Sequence, residues 1–232
     1  MSDTAATAAP GPSHAFRDPA LLTQWVTGLF AVALVIDFVA TVSGLLEFHL
    51  LTAIADGTVE ADLDVLTAND KRQQLIGLGQ LALFVLSGIA YLIWVYRANK
   101  NARALGARDM RFSAGWAVGW YFVPIACLWK PFQAMRETFQ ASSMPGAWTG
   151  VATPPLLGWW WATFILSLVL SQAAYRLGQA IEGLDSAMLA SAVTTASDIA
   201  GMALDVATIL VVRRIAGVQL EQAKLSTLAQ AF

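Results

Sequence analysis

Three carboxylic acids sit where the surrounding residues are almost all apolar. Asp37 interrupts "FAVALVIDFVATVSGLL", and Asp198 and Asp205 interrupt "AVTTASDIAGMALDVATILVV". Taking an ionisable group out of water is costly. Acids in such stretches therefore face the interior of a helix bundle, where they pair with polar neighbours or mark a proton or ion path. Their neighbours recur at helical spacing. Thr194, Asp198, Gly201, Asp205 and Thr208 form one stripe, Thr163, Ser167, Ser171 and Tyr175 a second, and Asp37, Thr41 and Gly44 a third. Small and hydroxyl residues let helices approach closely and hydrogen-bond across the seam. Two readings stand: packing seams holding hydrogen-bonded aspartates, or a proton or cation site built on Asp37 and Asp198 at similar depth. Arg176 is the basic residue placed to neutralise either acid.

A second group, Arg97, Lys100, Asn101 and Arg103, occupies one short stretch just past an apolar run. Clusters of this kind orient a span, and they also attract anionic lipid headgroups, each basic residue contributing about 1 kcal/mol near such a surface. Cys127 could act as a nucleophile only beside a base. The two histidines, His14 and His49, lie too far along the chain, so a buried inert thiol is the better reading. A single cysteine forms no internal disulfide, and two histidines leave little for zinc. The acidic stretch "DGTVEADLD" lacks the register of a calcium loop. No hydrolase, metalloprotease, phosphate-loop or dinucleotide fingerprint occurs. The sequence thus calls for no enzyme activity, cofactor or metal, and its net charge of -2 argues against a nucleic-acid partner.

The elements that position these groups follow from composition. Of 232 residues 57% are hydrophobic and 13% charged, about half the charge of a soluble domain. Mean hydropathy is +0.58, so lipid must cover much of the surface. Residues 1–19 are small and polar and read as a disordered cytoplasmic arm without a signal peptide. About 20 apolar residues cross a hydrocarbon core of roughly 30 Å. Segments 21–46, 75–96, 156–175 and 192–212 meet that length within a membrane domain of 20–214. Between the first two lies an acidic stretch, 47–74, expected to hold a short helix or two, with Thr67 to Asp70 starting the next span. Stretch 97–111 reads as a basic loop.

Residues 112–130 are harder to place. They carry no charge from Phe112 to Trp129, but Pro124 breaks them near the centre. If they cross, the fourteen basic residues divide evenly between the two sides. If they dip in and return, Lys71, Arg72 and Arg176 lie outside and the other eleven inside. Basic residues favour the cytoplasm, and tryptophans favour interfaces. Re-entry gathers the eleven and brings Trp25, Trp94, Trp129, Trp148 and Trp159 to Trp161 near one face. After the dip, Phe132, Met135 and Phe139 share a helical face opposite Gln133, Arg136, Glu137 and Gln140, the pattern of an interfacial helix over 131–141. Residues 215–232 read as a cytoplasmic amphipathic tail, with Val218, Leu225 and Phe232 seven apart, or as a continuation of the last span.

The run "WVYRANKNARALG…FSAGWAVGWYFVPIACLWKPFQAMRE" resembles the signature of a bacterial membrane family known as domain of unknown function 4328. Arg97, Ala98, Asn101, Trp116, Gly119, Phe122, Pro124, Leu128, Trp129 and Pro131 carry the likeness, which extends over roughly 20 to 215. Cys127 stands where that pattern has Asn, and Ala114 where it has Pro. The resemblance implies a multi-span inner-membrane protein and no established activity. The expectation is an all-α membrane protein: four transmembrane helices in two hairpins, a re-entrant segment between them, and both termini cytoplasmic. Two functions fit. One is a non-enzymatic binding or scaffold protein meeting membrane lipids, a second copy or a membrane partner. The other is a small proton- or cation-dependent transporter or channel.

Overall fold

The computed structural model describes residues 15–60 and 62–230, and every regular element among them is helical. Where water is scarce, backbone groups must bond within their own segment, and the helix does this. Four helices are long: α1 (Ala20–Ala55), α2 (Leu63–Ala104), α5 (Pro155–Gln179) and α6 (Leu184–Gln230). Two short ones, α3 (Ala114–Gly119) and α4 (Lys130–Ser143), lie between them, with single 3₁₀ turns at Ala126–Leu128 and Trp148–Gly150.

The antiparallel pair α1 and α6 forms the centre, with α2 packed against α1 and α5 against α6. Close approach along the central seam depends on glycine. A Cβ at Gly201 would lie 2.7 Å from Oδ2 of Asp37, and one at Gly44 would collide with the Thr195 hydroxyl. Large apolar side chains point away from the bundle: Phe84, Leu75 and Val169 are mostly exposed. In the most apolar stretch of α2 only 11% is buried in the protein. A surface so apolar is an interaction surface, and here it is a belt around the bundle.

The densest core sits at one end, where α3 and α4 close the bundle. Tyr91, Trp94, Met135, Phe139, Leu157, Trp160, Val211 and Ile215 are buried together there. Two tryptophans expected at the interface are core residues instead. Trp94 donates its indole N–H to Thr23 (3.1 Å) and Trp160 donates to Thr208 (3.2 Å). An indole N–H needs an acceptor once buried, and a threonine on the neighbouring helix supplies it in both cases.

Several boundaries differ from the sequence expectation. Stretch 47–74 holds the ends of two long helices rather than short ones of its own, because α1 runs on to Ala55 and α2 starts at Leu63. Asp62, not Thr67, caps α2 by accepting from the Asp64 N–H (3.1 Å). The basic stretch 97–111 is helical to Ala104. Residues beyond 214 prolong α6, with Ile215, Ala216 and Gln219 buried and Leu225 exposed. Residues 1–14 and Phe232 lie outside the described residues. The helix expected to lie at an interface is covered on most sides: Met135 and Phe139 are buried on one face of α4 and Glu137 on the opposite one, while Arg136 stays exposed.

Residues 112–130 leave one end of the bundle and return to it. The Lys130 ammonium lies 5.7 Å from the ring centre of Phe112. The segment reaches as far as Tyr91, whose hydroxyl lies 2.9 Å from that of Tyr121. Its two helical turns are split as Pro124 requires. Ile125 takes a positive φ of 64° and the Ala126 N–H bonds back to Pro124 O (2.7 Å), a strained γ-turn for a β-branched residue. Ala114 fills the first position of α3 behind its Ser113 cap, a place that also suits proline, so that departure leaves the helix start intact.

Candidate functional site

Asp37 and Asp198 meet through a residue the sequence reading passed over. The side-chain amide of Gln80 donates to Oδ1 of Asp37 (3.0 Å) and to Oδ1 of Asp198 (2.9 Å), tying α1, α2 and α6 at one level. An amide has two N–H groups, and each carboxyl takes one. The signal for Gln80 was present: it is the lone amide in "LIGLGQLALFVL". Arg176 is not the partner. It lies exposed near the end of α5, and the acids are served by Gln80. Asp205 is buried with Oδ2 lacking a protein partner among the described residues. Thr194 is exposed and leaves the predicted stripe, whereas Thr195 is buried on the seam.

Toward the end that joins α1 to α2, the polar seam continues. Glu47 accepts from Asn69 (3.0 Å), Gln73 (3.0 Å) and Ser191 (2.9 Å), and Arg72 donates to Ser43 (2.9 Å) and Asn69 (2.6 Å). Polar residues thus recur on the inner faces of α1, α2 and α6 from this end to the Gln80 node.

At the opposite end the predicted basic cluster separates into different roles. Asn101 is buried. It accepts from the Arg17 N–H (3.1 Å) and donates to Arg17 O (2.8 Å) and to Gln219 (3.2 Å). Gln219 donates in turn to Ala98 O (2.8 Å) and Ser142 (2.9 Å). Arg103 donates to the carbonyls of Phe112 (2.9 Å) and Met110 (3.3 Å), fixing the turn after α2. Both side chains serve the fold. Arg97 is exposed, and Lys100 covers the Tyr96 ring at 4.7 Å. Among the residues of the family-like motif, Trp116, Phe122, Leu128 and Trp129 are exposed and Pro131 is buried. Gly119 keeps space for the Trp116 ring, which a Cβ would approach to 3.2 Å. Cys127 is half-buried, and His49 lies near the far end of α1.

Arg108, which follows the predicted basic cluster, joins Arg111 and Arg136, which do not belong to it, in lining a groove at this end. A cavity of about 900 Å³ lies between the turn after α2 and α4, with Arg108, Arg111 and Arg136 on its walls. It shares Arg111, Phe112 and Gln133 with a recess of about 320 Å³ bounded by Trp116, Trp120 and Lys130. Glu137 shapes the wall by accepting the Phe112 N–H (3.0 Å), and Trp148 holds the rim by donating to Arg108 O (2.9 Å).

Long helices with an apolar belt outside and a polar seam inside define an all-helical protein. Three of its helices, α1, α2 and α5, are long and apolar enough to cross a membrane. The chain belongs to the family described as domain of unknown function 4328, which matches residues 57–217. No curated protein and no solved structure matches it. The matched stretch holds Gln80, Asp198, Asp205 and the groove, whereas Asp37 and Arg17 precede it.

Proposed function

We propose that this chain crosses the bacterial inner membrane four times, keeps both ends in the cytoplasm, and works without catalysis by binding lipid or a protein partner at that face. The observation that carries the topology is the meeting of Arg17, Asn101, Ser142 and Gln219 in one network. If the long helices span, everything joined to that network shares a compartment. Segment 112–130 then dips and returns. Its contact at Tyr91, six residues before Arg97, puts the dip at about 9 Å by helical rise. The fourth span is the part of α6 around Asp198 and Asp205, which lies between α1 and α5. The excess of basic residues at this end supports a cytoplasmic assignment. The gathered arginines beside exposed aromatic side chains support binding as the activity.

The Gln80 node favours a second reading, transport through Asp37 and Asp198, because three helices converge there on ionisable groups. Purified protein in liposomes separates the two. Binding to anionic vesicles without proton or sodium flux from pH 5 to 8 is expected. Flux that disappears in Asp37→Asn and Asp198→Asn would replace binding with transport.

A further inference from the structure

We infer that the groove between the turn after α2 and α4 is a site for a phosphate ester, and that its occupant is the headgroup of an anionic phospholipid. The inference rests on the reading that this end meets the cytoplasmic lipid surface. The volume of about 900 Å³ falls within the range of small-molecule sites. Guanidinium groups match phosphate geometry and bind it with paired, charge-assisted hydrogen bonds. Among the described residues, the arginine side chains that donate to the protein are Arg72 and Arg103. Arg108, Arg111 and Arg136 are exposed at the groove and left for a ligand.

With Lys130, four basic groups face two acidic ones, Asp109 and Glu137, and Glu137 already holds the Phe112 N–H. The Lys130 ammonium lies between two rings, 5.7 Å from that of Phe112 and 5.6 Å from that of Trp120. The Trp120 indole N–H, in the wall of the recess, is a buried donor with no acceptor among the described residues.

The surroundings distinguish an amphiphile from free phosphate. Trp116 in the wall of the recess is 55% exposed, and further along the same segment Phe122 and Ile125 are 70% and 71% exposed. A headgroup held by the arginines would lay its acyl chains along these side chains.

The test uses the full chain in neutral detergent, with retained lipid measured by native mass spectrometry against phosphatidylglycerol and phosphatidylcholine. Preferential retention of phosphatidylglycerol is expected. Arg111→Ala with Arg136→Ala should weaken it about 25-fold, at roughly fivefold for each basic residue. Arg111→Lys with Arg136→Lys keeps the charge but loses the paired hydrogen bonds, and should weaken retention less than the alanine pair does, which separates loss of the site from loss of the fold. Arg213→Ala with Arg214→Ala, exposed at the same end but outside the groove, should change retention less than twofold. Equal losses in the two alanine pairs would overturn the site and leave a lipid-binding face. No preference for phosphatidylglycerol in the unaltered protein would overturn the lipid-binding reading as well. Complete displacement by millimolar inorganic phosphate would assign the groove to a soluble phosphate and overturn the lipid source.

Discussion

Replacing Gln80 by leucine removes both donors that tie Asp37 to Asp198. The two bonds, 3.0 and 2.9 Å long, link α2 to each helix of the central pair. Interhelical hydrogen bonds in membranes average roughly 0.6 kcal/mol and reach about 1.7 kcal/mol. Losing two therefore costs about 1–3 kcal/mol. The loss lies toward the upper end if the carboxyls find no replacement donor, since an unpaired polar group is more costly than an absent one. Unfolding of the purified protein in mixed micelles, followed by circular dichroism, reads the change. Gln74→Leu is the control, because Gln74 is exposed on the same helix. Asp37→Asn leaves an amide oxygen for Gln80 and should cost less than Gln80→Leu. Asp37→Asn added to Gln80→Leu should cost less than the sum of the two, because they share one interaction. A Gln80→Leu loss no larger than that of Gln74→Leu would refute the node as a structural tie.

Three other substitutions test the packing and the end network. Gly201→Ala should cost about 1–3 kcal/mol in the same assay, because its Cβ would press on the Asp37 carboxyl. Gly28→Ala has open space and should be neutral or stabilising. Asn101→Ala strands the Arg17 backbone and one bond of Gln219, and should lower stability by about 1–3 kcal/mol. Glu137→Ala should speed tryptic cleavage at Arg108 and Arg111 by freeing the Phe112 N–H, whereas Glu137→Gln, which keeps an acceptor oxygen, should not.

Much of the architecture was legible because long apolar helices leave a simple pattern in the sequence. Long uncharged runs marked the long helices, and Pro124 marked the break that became two short turns and a strained Ile125. Asp37 and Asp198 were expected at similar depth, and they meet through Gln80. Where the helices end was not legible, since the predicted spans stop at residues 46 and 96 while α1 runs on to Ala55 and α2 to Ala104. Arg176 was chosen for its charge, but an uncharged amide already inside the bundle needs no long side chain to reach in. Glu137 was misplaced for a related reason. A polar stripe usually means water, and Arg136 is exposed as that pattern expects, yet the acid beside it turns inward to hold a backbone N–H. Arg108 belongs to the basic stretch whose charge suggests lipid headgroups, but Arg111 and Arg136 count in the sequence only toward topology, because the fold of the turn after α2 brings them to α4 and their spacing alone does not.

The central claim is that the network joining Arg17, Asn101, Ser142 and Gln219 lies wholly on one side of a membrane. Single cysteines in a Cys127→Ser background test it with an impermeant maleimide on intact spheroplasts. Thr58→Cys should react at once, and Ala152→Cys and Ser226→Cys only after lysis. Labelling of Ala152→Cys before lysis would carry residues 112–130 across the bilayer and contradict the account.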